Sequence, residues 1–78
     1  VCTLLREFAP QSELPEVLQR GTEEAGYVIS GTFEIEISGC WHELRQGDSF
    51  RFAHEPYRWR NRGDVPAILV WVIAPPVY

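Results

Sequence analysis

The side chains able to do chemistry in this 78-residue chain are few and scattered. An acidic pair, Glu23-Glu24, stands at the entrance of the stretch Thr22 to Gly39. His42 and His54 have no partner at metal-ligand spacing, and each reads first as an ordinary surface or packed histidine. Cys2 and Cys40 match neither a CxxC nor a zinc pattern, so they read as two free thiols in a reducing, cytoplasmic setting, with a disulfide as the alternative. Arg58, Arg60 and Arg62 form a local basic cluster. Because they alternate with Tyr57, Trp59 and Asn61, that cluster reads as the solvated face of a strand. A formal net charge of -4 argues against the broad positive surface that counterion release at DNA or RNA requires. No apolar run approaches the ~20 residues of a membrane span.

The elements that must position these groups are strands. Phe33, Ile35 and Ile37 alternate with Glu34 and Glu36, the period of a strand with one face in a core and one in water. Ala25 to Ile29 supplies a second run, and Gly31 between the two predicts a β-hairpin, with Gly39 ending its second strand. Cys2 to Ala9 reads as a strand stopped by Pro10, Gln11 to Glu13 as a polar turn, and Leu14 to Arg20 as an extended segment rather than a helical turn. Cys40 to Leu44, Ser49 to Ala53 and Tyr57 to Asn61 are further strands. The last run, Ala67 to Ala74, is apolar on both faces and predicts cover on both sides, with Pro75-Pro76 as its stop. Trp41 and Trp71 read as core or interface residues rather than ligand contacts. About eight short strands separated by turn residues give an all-β sandwich or barrel in one domain spanning residues 1–78. A chain this short hides only about 60% of its unfolded surface, so it must bury its aromatics well or share a face with a second copy.

At this point the residues resemble a family. Glu23-Glu24, Tyr27-Val28, Gly31, the Gly47-Asp48-Ser49-Phe50 step, Pro56, Arg58-Trp59-Arg60-Asn61 and Gly63-Asp64 look like the two halves of the cupin signature. The resemblance implies a small double-stranded β-helix, a jelly-roll-like barrel. Glu24 falls where the family's glutamate ligand stands, and Gly47 and Asn61 fall where the second half begins and ends. The family's His-x-His pair would lie within Val17 to Arg20, where there is no histidine, and its later histidine corresponds to Tyr57. Ala53 and Glu55 replace the usual proline and glycine. A lone Glu24 cannot hold a transition metal against water, so no metal and no cofactor are expected.

A narrower resemblance is to the C-terminal cupin domain of bacterial helix-turn-helix regulators of the XRE type, carried by Glu-Glu-Ala-Gly-Tyr-Val-Ile-Ser-Gly, Gly-Asp-Ser-Phe and the ending Trp-Val-Ile-Ala-Pro-Pro-Val-Tyr. It implies a metal-free, non-enzymatic effector-binding and dimerisation domain, the C-terminal part of a longer regulator that touches DNA only through a domain outside this chain. The opening Val-Cys-Thr, without an initiator Met, agrees. The positions that carry or adjoin the family's ligands are Arg20, Glu24, Tyr57 and Trp59. As a pocket carboxylate among aromatic faces, Glu24 would attract an ammonium group; as structure, it would pair with Arg20 or Arg58. Arg20 has the planar fork for a carboxylate. An amine or amino-acid-like effector and a homodimer are therefore expected. The alternative is a small cupin isomerase or epimerase using Glu24 and Tyr57 as acid and base, and a third reading is a dimerisation module with no ligand.

Overall fold

The computed structural model describes residues 2–74. Eight strands follow one another: β1 (Cys2–Phe8), β2 (Ser12–Glu13), β3 (Glu23–Ser30), β4 (Thr32–Ile37), β5 (Cys40–Arg45), β6 (Ser49–Ala53), β7 (Tyr57–Asn61) and β8 (Ala67–Ala74). They form two four-stranded antiparallel sheets, ordered β1-β8-β3-β6 and β2-β7-β4-β5. No residue among those described is helical, and no helix is long and apolar enough to cross a membrane. The all-β expectation holds, and the proline stop at Pro75-Pro76 lies outside the described residues.

The period-two patterns decide what lies between the sheets. Phe33 and Ile35 of β4, Val28 of β3, and Ala67, Leu69 and Trp71 of β8 are almost wholly buried, with Phe8, Leu44, Phe52 and Tyr57 completing the core. The aromatics meet at angles: Phe8 stands edge-on to Trp59 at 4.5 Å, and Phe50 edge-on to Trp71 at 5.0 Å. Such pairs add about 0.5–1.5 kcal/mol each beyond their area. Asn61, buried among them, donates to the carbonyls of Phe8 and Val65 and accepts from the Gly63 amide, tying the end of β7 to the end of β1 and to the turn before β8.

The expected hairpin is not there. β3 pairs with β6 and β8, whereas β4 pairs with β5 and β7, so the chain at Gly31 steps from one sheet into the other. Gly31 has φ +82°, and a Cβ there would lie 2.6 Å from the Pro66 carbonyl oxygen. A glycine between two strand runs marks a sharp change of direction, and here the change carries the chain across the sandwich. The polar turn expected at Gln11 to Glu13 contains the two-residue β2, paired to Asn61 and Arg60. Beyond it the chain forms no helix; it bends at Glu16 and makes an isolated bridge at Leu18. Leu14 and Leu18 bond to the backbone of Trp59 and Tyr57, so this segment runs along the edge of β7.

The arginines of β7 do form an outer face. Arg58 pairs with Glu36 at 3.1 Å and Arg60 with Glu34 at 2.6 Å, and both guanidinium groups lie over the Trp41 ring. Trp41 therefore belongs to a charged outer surface, while Trp71 is core. Both cysteines are free thiols and exposed.

Candidate functional site

A cavity of about 410 Å³ opens where β1, the extended segment before β3, and strands β3, β7 and β8 come together, and Arg20, Glu24, Tyr57 and Trp59 all border it. Its remaining walls are Leu4 and Arg6 from β1, Leu14 and Leu18 from the extended segment, and Ile73 from β8. Alternation explains each placement. Leu4 and Arg6 share the inward face of β1 with Phe8; Glu24 precedes buried Val28 on β3; Tyr57 and Trp59 share a face of β7; and Ile73 follows Trp71 on β8.

Glu24 is 3% exposed and is satisfied from within. Its Oε1 accepts the Trp71 indole N–H at 2.8 Å and, over a long 3.5 Å, the Tyr57 hydroxyl; its Oε2 accepts the Thr22 hydroxyl at 3.3 Å. The structural pairing expected for it is corrected accordingly. Arg58 is on the opposite face of its sheet with Glu36, and Arg20 makes no ion pair with Glu24. A strand turns successive side chains to opposite faces, so Arg58 cannot share the cavity with its neighbours Tyr57 and Trp59.

Tyr57 holds its proton more tightly than an ordinary phenol. Burial is the first cause and the Glu24 charge the second, with Arg20 and Arg6 pulling the other way. A raised native value means that the contribution of this phenol to stability is complete below the ordinary value of 10.0 and is lost as pH climbs from there through the native value, because the unfolded chain ionises first. Urea unfolding followed from pH 8 to 11, a range of about one unit or more on each side of that value, is expected to show a loss that begins near 10 and is smaller in Tyr57→Phe. An equal loss in the variant would remove Tyr57 as the source.

The donor set does not fit the metal that the family resemblance implies. One carboxylate, one phenol and two guanidinium groups face the cavity, and guanidinium is no ligand. Among the described residues no group of three or more His, Cys, Asp or Glu side chains is placed to hold an ion. His54 sits in the turn before β7 at φ 58°, its carbonyl accepting from Gln19, and is not part of the cavity wall. His42 faces a separate groove beside Phe50, Arg51 and Glu55.

Leu4, Leu14, Leu18 and Ile73 of the apolar wall were not among the expected site residues, and Arg6 is the charged one that sequence reasoning missed. Its guanidinium carbon lies 4.7 Å from the Phe8 ring centroid and 4.9 Å from that of Trp71. The available signal was the alternation of Leu4, Arg6 and Phe8, which places a charge on the core-facing side of β1.

Residues 4–73 match the family model described as Cupin domain. The chain is 34% identical over 67 residues to Protein SchB of Streptomyces halstedii, covering 85% of this chain and 49% of that protein, so it spans about half the length of this curated relative. Among solved structures it is similar to the Cupin_2 domain of an XRE family transcriptional regulator from Enterobacter cloacae, with 31% identity and a TM-score of 0.67 over 95% of this chain and 72% of that one. A designed double-stranded β-helix superposes with a TM-score of 0.73 at 20% identity, covering 94% of this chain and 99% of the design, which shows the fold.

Proposed function

The chain belongs to the cupin family, and from there we propose that it is the small-molecule-binding and dimerisation domain of a bacterial transcriptional regulator, metal-free and non-enzymatic, the C-terminal part of a longer chain. The observation that carries this reading is the cavity itself. Apolar walls surround a few convergent polar groups, the composition of small-molecule sites, and its volume falls in their usual range. The likeness to an XRE regulator's cupin domain supports the regulatory part. DNA would be met by a domain outside this chain, consistent with the net charge of -4. The effector expected from the sequence is amine- or amino-acid-like, and the cavity presents both charge signs to it. For the homodimer, the outer face of β1-β8-β3-β6 offers a row of Leu5, Val70 and Tyr27 in register across three strands, with Leu5 74% exposed.

A thermal-shift screen of small acids, amines and amino acids tests the reading. A ligand at about tenfold its Kd stabilises by about 1.4 kcal/mol, a rise of about 6–11 °C for a chain of this length. Leu18→Trp, which fills the cavity, is expected to abolish that rise. A library without a single stabiliser, or a rise indifferent to Leu18→Trp, would count against it.

Cupins include enzymes as well as non-enzymatic members, and the Tyr57 hydroxyl beside Glu24 favours one specific second reading, an isomerase or epimerase in which the phenol donates and the carboxylate accepts a proton. Exchange of substrate α-protons with deuterated solvent, lost in Tyr57→Phe, would favour it over sensing.

A further inference from the structure

We infer that the cavity takes an organic monocarboxylate with an apolar body, gripped by a two-arginine clamp of Arg6 and Arg20; this rests on the ligand-binding reading above and narrows its ligand class to the acid end. All seven basic residues of the chain are arginines. Arg45, Arg51, Arg58 and Arg60 are each paired with a glutamate. Arg6, Arg20 and Arg62 have no ion-pair partner among the described residues, and of these three Arg6 and Arg20 face the same cavity. They reach it from two different elements, Arg6 from β1 and Arg20 from the extended segment before β3. Arg6 is also held: its guanidinium carbon lies 4.7 Å from the Phe8 ring centroid and 4.9 Å from that of Trp71, a cation–π contact with each that uses none of its N–H groups as hydrogen-bond donors to a side-chain acceptor.

Glu24 is poorly placed to recruit an ammonium. The residue is 3% exposed, and its carboxylate already accepts from the Trp71 indole at 2.8 Å and the Thr22 hydroxyl at 3.3 Å, with only a long contact from the Tyr57 phenol. Formal charges point the same way. Two guanidinium groups and one carboxylate leave the cavity with a surplus of one positive charge, which a carboxylate cancels and an ammonium doubles. The long Tyr57–Glu24 contact of 3.5 Å leaves the phenol proton free to turn to an incoming carboxylate oxygen. Leu14, Leu18 and Ile73 have no polar group to offer, so the ligand body that they enclose is apolar.

Matched probes decide the matter. 3-Phenylpropionate and 3-phenylpropylamine share an apolar body and differ in the sign of the head group, and each is titrated into the 78-residue chain by calorimetry. The acid is expected to bind and the amine to give no heat, with Arg6→Gln and Arg20→Gln each weakening the acid at least about tenfold, the loss of one charge-assisted contact. Arg6→Lys, which keeps the charge without the fork, is expected to restore only part of the affinity. Should Arg6→Gln fail to fold, the exposed Arg20 decides alone. Binding of the amine without the acid, or wild-type affinity for the acid in Arg20→Gln, overturns the clamp and leaves the cavity's role as a small-molecule site standing. Silence from both probes up to about 10 mM, a free energy below about 3 kcal/mol, together with a screen that yields no stabiliser, overturns both.

Discussion

Trp71→Ala is expected to remove about 3–5 kcal/mol of folding stability, the range for emptying a core site of an aromatic. A chain of this length has about 4–12 kcal/mol in total, so the loss takes between about a quarter and all of it, and a wild-type stability at the low end of that range leaves the variant unfolded at room temperature. Trp71 is fully buried, stands within ring-contact distance of Phe8, Phe33, Phe50 and Tyr57, and donates its indole N–H to Glu24. Two effects are therefore mixed in the alanine variant, a cavity and a stranded carboxylate. Trp71→Phe separates them. It keeps a ring and deletes the donor to a buried charged acceptor, for an expected loss of about 1.5–3 kcal/mol. Adding Glu24→Gln to Trp71→Phe should cost less than the sum of the two single changes, because the acceptor that lost its donor has itself been neutralised. Urea unfolding of the four proteins measures the cycle, and strict additivity would mean that the 2.8 Å contact carries no coupling.

Gly31→Ala is expected to cost about 3 kcal/mol, lowering the thermal midpoint by about 12–24 °C. A left-handed backbone accounts for about 1–2 kcal/mol of that. The remainder comes from the position: the new methyl would meet the Pro66 carbonyl oxygen at 2.6 Å and the Ala67 Cα at 3.0 Å, both main-chain atoms. Ala67 is buried and begins β8, which is paired on both sides, so the neighbour cannot give way cheaply. Gly39→Ala is the control, since its φ of +81° is nearly the same and nothing lies within 4 Å of its Cβ. It should show the conformational part alone. Equal losses at the two sites would show that the crowding at the sheet crossing contributes nothing.

The crossing also marks where local pattern stops informing. Phe33, Ile35 and Ile37 declare a strand because side chains alternate whatever the strand's partners are. Which strand lies alongside is a matter of contacts distant in sequence, and Glu-Glu-Ala-Gly-Tyr-Val followed by a glycine and a second alternating run is the same text whether the chain folds back or changes sheet. The cavity was legible for a related reason. Arg20, Glu24, Tyr57 and Trp59 were found through motif positions, and a motif encodes nonlocal placement that composition does not. The partner of Glu24 was not legible, because Trp71 is 47 residues away and an indole donor leaves no spacing signal. Arg6 stands between Leu5 and Glu7, and its shared parity with Leu4 and Phe8 is all that separates it in the sequence from a strand-surface charge, whereas the Phe8 and Trp71 rings beside it are a matter of the fold. Arg58 and Arg60 were readable as a solvated face, since alternation with Tyr57 and Trp59 already assigned them the opposite side.

The three indole N–H signals report from three places: Trp41 on the charged outer face, Trp59 at the cavity wall and Trp71 beneath it against Glu24. The most direct measurement of ligand binding in the cavity is a proton–nitrogen correlation spectrum of the chain recorded as a stabilising ligand is added. The Trp59 and Trp71 indoles and the Arg6 and Arg20 Nε signals are expected to move together and saturate at one Kd while Trp41 stays in place. Movement of Trp41, or of signals around the His42 groove, with the cavity reporters unmoved would place the ligand elsewhere and contradict it.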